Sequence, residues 1–400
     1  MNNRYVIIGA SAAGIAAATK LRQLDQEAEI VVVSQETDLP YNKCFLADYL
    51  SEKKTQSALL LKQADFFKAQ HITLKLGVRV TALAPSDKKI ILQDGTHLDY
   101  SKLLLAMGGS IVMPEIQGVE NVQGIFQFYT LQDTQNILDA VATKKAQRVV
   151  IIGAGLSGLE CADSLHGKVG SITVIERAAH VLFTHIADDA ADFIHTVLEK
   201  SGINVRLNQT VVKVFSEQGK LQAVQLADGS VIETDLLICA LGARPNSWLA
   251  ETAGIAVMGG AIVTDSFLKT SDDAIYAAGD VAQITNKITG GKVKSCSWPD
   301  ALQQGAVAAS NMAGFSKEYG GSVLIVSSSF FGIKFFSCGD VKAERMSDNA
   351  SLRKTNESFR LIFHKNRVVK GFLLVGQTHN ILNLKQSVLT GSQYDFSELI

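Results

Sequence analysis

The stretch Tyr5-Val6-Ile7-Ile8-Gly9-Ala10-Ser11-Ala12-Ala13-Gly14 runs four apolar residues into a glycine turn, then into Ile15-Ala16-Ala17-Ala18-Thr19-Lys20-Leu21. An unbroken apolar run of this kind marks a parallel strand buried on both faces, because a strand with one wet face alternates. Small residues after the strand let the amides at a helix N-terminus come close to a pyrophosphate. Taken alone, the stretch reads either as a dinucleotide loop or as a plain strand-to-helix turn.

A second copy of the idea sits at Arg148-Val149-Val150-Ile151-Ile152-Gly153-Ala154-Gly155-Leu156-Ser157-Gly158-Leu159-Glu160. Here the Gly-x-Gly-x-x-Gly spacing is complete: Gly153 for the tight turn, Gly155 for backbone approach to a pyrophosphate, Gly158 for helix–strand packing. A helix over 161–166 leads to the strand Ile172-Thr173-Val174-Ile175, which ends at Glu176, 23 residues after Gly153. A carboxylate at that place accepts hydrogen bonds from ribose hydroxyls, so strand, loop, helix, second strand and acid agree on a dinucleotide site. The first copy has the matching strand Ile30-Val31-Val32-Val33, ending at Ser34-Gln35-Glu36. Glu36 is its candidate ribose acid, with Gln35 beside it as competitor and a solvated loop glutamate as the plain reading.

Four hundred residues exceed one ordinary hydrophobic core, so two or three domains are expected. With 47% hydrophobic and 19% charged residues and a formal net charge of −1, the chain reads as globular, and nothing favours a polyanionic partner such as nucleic acid. The apolar runs are too short for a membrane span or a signal sequence. Five scattered cysteines, odd in number and without a C-x-x-C, speak against a disulfide framework or a metal site and suit a reducing cytoplasm.

Between the two loops, Leu39-Pro40-Tyr41-Asn42-Lys43-Cys44 precedes an apolar spacing that predicts a helix beginning at Cys44. At a helix N-terminus, with Lys43 adjacent, a thiolate is stabilised, which makes Cys44 a candidate redox thiol; the plain reading is a buried small residue. Short extended stretches fill 71–92, with a turn at Asp94-Gly95, and Leu103-Leu104-Leu105 closes on Ala106-Met107-Gly108-Gly109. A domain crossover is expected near 109–118. After a helix over 187–201, residues 205–237 read as a meander, and Leu236-Leu237-Ile238-Cys239-Ala240 runs into Gly242. Residues 4–109 and 148–243 thus form a repeat of roughly 140 residues, a domain duplication and not a solenoid. The strand Ile275-Tyr276-Ala277-Ala278 ends in Gly279-Asp280, placing a carboxylate at the carboxyl edge of a sheet, where a polyol chain can bond it. A helix is expected over 298–314. Beyond 320 come strands at 322–326, 332–336, 359–363 and 371–376, then a helix over 380–389, an α+β domain with phenylalanines enough for a core or a dimer face.

In this order, the motifs resemble the FAD-dependent pyridine nucleotide–disulfide oxidoreductase superfamily along essentially the whole chain. The resemblance implies an α/β protein with two Rossmann-like domains and a C-terminal α+β interface domain. The FAD-binding domain would occupy 1–112 and 244–318, the NAD(P)H domain 113–243 and the interface domain 319–400. It further implies that Gly9, Ser11, Ala13 and Gly14 hold the FAD pyrophosphate, with Ser11 standing where the middle glycine is usual. Glu36 would take the adenosine ribose, Lys43 would approach the pyrophosphate, Val80 would meet the adenine through its backbone, and Asp280 would bind the ribityl chain. Gly108 and Gly242 belong to the matching motifs. Gly153, Gly155, Gly158 and Glu176 would hold the nicotinamide dinucleotide, and Glu160 matches a family glutamate near the flavin–nicotinamide contact. Glu176 would repel a 2′-phosphate, which favours NADH, while Arg177 beside it leaves NADPH open.

Cys44 falls where the single-cysteine branch carries its redox thiol, whereas Leu39-Pro40-Tyr41-Asn42-Lys43 and the brief C-terminal domain resemble the rubredoxin reductase and nitrite reductase branch. Asp48 replaces a lysine common in ferredoxin reductases, and Met107 replaces the usual threonine of Ala-Thr-Gly. The expectation is a cytoplasmic flavoenzyme, a homodimer by family likeness. It would take a hydride from NADH onto FAD and pass electrons to a carrier protein such as rubredoxin, or through Cys44 to oxygen, a peroxide or a small disulfide. The alternative from another class is a flavin- and NADH-dependent redox sensor or assembly factor.

Overall fold

The computed structural model describes residues 3–144, 146–183, 186–294, 297–339, 341, 349–355 and 357–395. The chain divides into two compact units, one of residues 1–44, 56–110 and 243–322, the other of 45–55, 111–242 and 323–400.

The first unit is built on a five-stranded parallel sheet in the order Ile275–Ala277, Lys102–Leu105, Arg4–Ile8, Glu29–Val33, Ile72–Lys75. The first apolar run lies at its centre, and Val6, Ile7, Leu103, Leu104 and Val32 have no exposed surface. Each such side chain withdrawn from water contributes about 1.5–3 kcal/mol, which is why the run must be apolar throughout and not alternating. The helix Ala12–Leu24 follows at once and packs on Trp298–Met312; a Cβ on Gly305 would stand 2.1 Å from Ala13 O, so only glycine permits the contact. Arg22, buried on the first helix, donates to the carbonyls of Asp25, Gln26, Ala28, Gln70 and His71 and so ties the helix to the far edge of the sheet. A three-stranded antiparallel sheet (Val80–Ala84, Lys89–Leu92, His97–Asp99) completes this side, with its turn at Asp94-Gly95 as expected.

The second unit repeats the plan. Its parallel sheet runs Asn204–Arg206, Ser171–Ile175, Arg148–Ile152, Leu236–Cys239, Ile125–Gln127. The predicted meander is the antiparallel sheet Val211–Glu217, Lys220–Leu226, Val231–Glu233. The C-terminal part is a five-stranded antiparallel sheet in the order Ile325–Phe330, Ile333–Gly339, Val368–Val375, Phe359–Lys365, Asn349–Lys354, followed by the helix Ile381–Thr390.

Two expectations shift, and one strand is unexpected. The helix after the second glycine loop begins at Leu156, directly after Gly155, and not at 161. The strand expected over 322–326 begins at Ile325, because Ser322 is bridged to Asn286, its amide donating to Thr285 O and its carbonyl accepting from Lys287 N. The edge strand Asn349–Lys354 carries too few apolar residues to stand out in the sequence.

Candidate functional site

Both parallel sheets end in a glycine loop at a helix N-terminus, and the two loops share one steric solution. In the first, Gly9 has φ +111° and a Cβ on it would lie 2.1 Å from Ala106 O, while a Cβ on Gly14 would lie 1.9 Å from Gly9 O. In the second, Gly153 has φ +106° with Ala240 O 2.6 Å from a would-be Cβ, and Gly158 repeats the 1.9 Å approach to Gly153 O. These positions serve packing. Gly155 differs, since a Cβ there would meet no atom within 4 Å, leaving an open face above the first amides of the helix Leu156–Leu165. At the equivalent place in the first unit Ser11 precedes Ala12–Leu24; among the described residues its hydroxyl makes no hydrogen bond and does not cap the helix. Unpaired first-turn amides beside an open loop favour a phosphate-bearing ligand.

Around the first loop the structure gathers Glu36, Lys43 and Asp280. The Glu36 carboxylate accepts from Tyr41 OH at 2.7 Å and from Lys43 Nζ at 3.0 Å. Two more lone-pair sites remain on that carboxylate for a ribose. Asp280, half-buried in the turn after Ile275–Ala277, has no hydrogen-bond partner among the described residues. Burial pushes its carboxyl up to about 6, and the Lys43 charge opposes the rise. A carboxylate withdrawn from water without a partner is costly, so this half-buried one suits hydroxyl donors that the described residues do not provide. The donor set therefore fits a dinucleotide that carries a polyol chain. Val80 is buried at the start of the strand Val80–Ala84 in the same unit.

The motif around Gly108 has a function that the sequence did not reveal. Asn246 donates through its amide N to Gly108 O at 2.9 Å and through Nδ2 to Met107 O at 3.0 Å. Ala106-Met107-Gly108-Gly109 and Arg244-Pro245-Asn246 are thus one interlocked turn, and Met107 packs against the core of the unit without disturbing it.

At the second loop, Glu176 is held by backbone amides. Its Oε2 accepts from Ala154 N and its Oε1 from Ala178 N, both at 2.8 Å, while Leu182 N donates to Ala154 O at 2.9 Å. The peptide groups flanking Ala154 are clamped from both sides. Gly242, at φ +76°, lies exposed beyond Leu236–Cys239 with open space around it. Glu160 is half-buried on Leu156–Leu165; Ser328 Oγ donates to its Oε1 at 2.5 Å. Burial first, then the negative charges of Asp48 and Asp163, raise the Glu160 carboxyl above the ordinary carboxylate range.

The helix expected to begin at Cys44 needs correction, and so does the plain reading of a buried residue. Cys44 sits in the 3₁₀ turn Lys43–Phe45, exposed, with its amide donating to Asn42 Oδ1 at 3.0 Å. The α-helix begins only at Leu46 and spans five residues, Leu46–Leu50, too short for the helix-terminus argument to hold, and the Asn42 side chain takes up the amide that would have started it. The Lys43 ammonium expected beside the thiol bonds Glu36. Cys161, Cys239 and Cys338 are buried and free of disulfides, and burial raises all three thiols, the last two to about 12. Cys296 lies outside the described residues. Among the described residues there is no group of three His, Cys, Asp or Glu side chains able to hold a metal ion, and no helix is long and apolar enough to cross a membrane.

The family model for pyridine nucleotide-disulphide oxidoreductase matches residues 3–305. The chain is 32% identical over 323 residues to the NADH oxidase of Methanocaldococcus jannaschii, which covers 79% of this chain and 71% of that one. It is 29% identical over 394 residues to the ferredoxin–NAD(+) reductase component of 3-phenylpropionate/cinnamic acid dioxygenase from Photorhabdus laumondii, covering 98% of each. Asp48 therefore does not set the chain apart from the ferredoxin reductases in overall similarity. Among solved structures it is similar to the covalent putidaredoxin reductase–putidaredoxin complex, with a TM-score of 0.88, 28% identity, and 97% and 92% of the two chains covered.

Asp280 yields a sign-definite expectation. Its folded-state value lies above the ordinary 3.8, so the folded protein binds the extra proton, and stability falls as pH rises from about 4 through about 6. The rise corresponds to about 3 kcal/mol at most. In cofactor-stripped protein, Asp280→Asn should raise the thermal midpoint at pH 8 and leave it near wild type at pH 4; a variant no more stable at pH 8 would contradict the unpaired-carboxylate reading. Taken with the loops and the comparisons, the chain belongs to the pyridine nucleotide-disulphide oxidoreductase family and is an oxidoreductase that uses FAD and a pyridine nucleotide.

Proposed function

We propose that this oxidoreductase takes a hydride from NADH onto FAD and delivers electrons to a small carrier protein of the rubredoxin or iron–sulfur type. The observation that carries the carrier reading is the setting of Cys44, which lacks the helix terminus a catalytic thiolate would draw on. Bound FAD supplies the redox chemistry, accepting a hydride and giving its electrons onward.

The chain's part is to bind, orient and exclude water. Gly9, Ser11, Ala13 and Gly14 hold the FAD pyrophosphate at the first helix, Glu36 and Lys43 hold the adenosine side, Val80 meets the adenine, Gly108 shapes the adjoining turn, and Asp280 takes the ribityl hydroxyls. Gly153, Gly155 and Gly158 form the NADH loop, Glu176 holds that loop and the ribose, Gly242 leaves room beside it, and Glu160 stands by the nicotinamide. Glu176 favours NADH over NADPH, because a 2′-phosphate would face its carboxylate.

The domain division proposed is 1–112 with 244–318 for FAD, 113–243 for NAD(P)H and 319–400 for the interface domain. Buried thiols fit a reducing cytoplasm. The C-terminal domain also forms a homodimer face, supported by Leu382 at 80% and Leu389 at 45% exposure, one helical face of Ile381–Thr390. Sedimentation giving only a monomer's mass would remove the dimer.

The second reading, reduction of a peroxide or small disulfide through Cys44, draws on that residue's exposure. Cys44→Ser separates the two. With a carrier protein or dye as acceptor, turnover should stay within about twofold of wild type, because electrons then leave the flavin without passing through the thiol. Loss of turnover with a peroxide or small disulfide, with dye turnover kept, would establish the thiol route.

A further inference from the structure

The hairpin at the start of the C-terminal sheet, Ile325–Phe330 and Ile333–Gly339, lies along one face of the second glycine-loop helix. Three points fix it. Ser328 Oγ donates to Glu160 Oε1 at 2.5 Å, and Phe331 N donates to Asp163 Oδ1 at 2.9 Å. The Phe331 ring meets the His166 ring edge-on at 5.6 Å. Glu160, Asp163 and His166 recur every three residues, so they share a helix face and read the hairpin in a single register. Strand alternation sorts the run Ser327-Ser328-Ser329: Ser327 and Ser329 are exposed, while Ser328 turns inward with buried Phe330 beyond it.

We propose that Ser328 is a positioning residue for the hydride-transfer site, its hydroxyl holding the Glu160 carboxylate so that the C-terminal sheet sets the orientation of that acid. The inference rests on the placement of Glu160 beside the nicotinamide. The charges that bear on Glu160 are negative: Asp48 from the short helix Leu46–Leu50, and Asp163 from its own helix. Strand Ile325–Phe330 carries no titratable side chain, Ser171–Ile175 carries none, and Arg148–Ile152 offers only Arg148, which pairs with Glu233 and Asp235. Lys334, on the second strand of the hairpin, is exposed, and among the described residues no cation bears on the acid, so the donor from Ser328 orients it. A hydroxyl donating to a carboxylate favours its ionised form, and removing the donor shifts ionisation to higher pH.

The test uses the FAD-loaded protein labelled with ¹³C at glutamate carboxyls, the Glu160 resonance being assigned by its loss in Glu160→Gln. In Ser328→Ala the Glu160 titration should move to higher pH, and flavin reduction by NADH in stopped flow should slow on the order of tenfold, as for one lost hydrogen bond to a charged group. Ser328→Thr, which keeps the hydroxyl, should restore both, and Ser327→Ala and Ser329→Ala should change neither. A Glu160 titration unmoved in Ser328→Ala overturns the inference. If Glu160→Gln instead leaves flavin reduction and its pH profile as in wild type, the placement of Glu160 beside the nicotinamide is what fails, and the NMR titration shows separately whether Ser328 holds the acid.

Discussion

A backbone carbonyl standing 1.9 Å from where a Cβ would be, once at Gly14 and again at Gly158, is the constraint on which both halves of this protein rest. It allows each helix to start immediately at the carboxyl end of its central strand, with first-turn amides unpaired and facing the crevice where ligands of open α/β sheets bind. A methyl group at either position would push helix from strand and carry the amides away with it. The buried apolar strands make the sheets stable, but the absent side chains make them useful.

Four carboxylates around the loops show how differently one group is handled according to what surrounds it. Glu36 and Glu176 are held by partners from the protein, the former by Tyr41 and Lys43, the latter by two backbone amides. They are rigid before any ligand arrives, which lowers the ordering cost of binding. Asp280 is half-buried and, among the described residues, has no hydrogen-bond donor, and burial raises its carboxyl. Glu160 lies between, with one serine donor and two negative neighbours. Pre-organisation marks Glu36 and Glu176, and unmet hydrogen-bonding demand marks Asp280.

The sequence revealed what is local and periodic. The apolar runs at 5–8 and 148–152, the glycine spacing and the acids ending the second strands all depend on neighbours a few residues away, and each lies where the pattern puts it. It concealed what depends on distant partners. The clamp of Asn246 on Met107 and Gly108 joins residues 139 apart, and Ser328 meets Glu160 across 168. No spacing rule encodes such a pair. The helix onset expected at Cys44 went astray for a local reason: the apolar spacing after it is real, but the Asn42 side chain captures its amide in a tight turn and delays the helix to Leu46. The edge strand Asn349–Lys354 escaped because pairing on one side needs no apolar pattern.

The central claim, that the second glycine loop receives the pyrophosphate of NADH on its open face, is tested most directly by Gly155→Ala. A Cβ at Gly155 meets nothing in the protein, so FAD content and the thermal midpoint should match wild type, while the dissociation constant of a non-reducing NADH analogue, which leaves the flavin oxidised, rises roughly tenfold or more. An affinity equal to wild type would show that no ligand approaches the loop there, and the account of the site would be wrong.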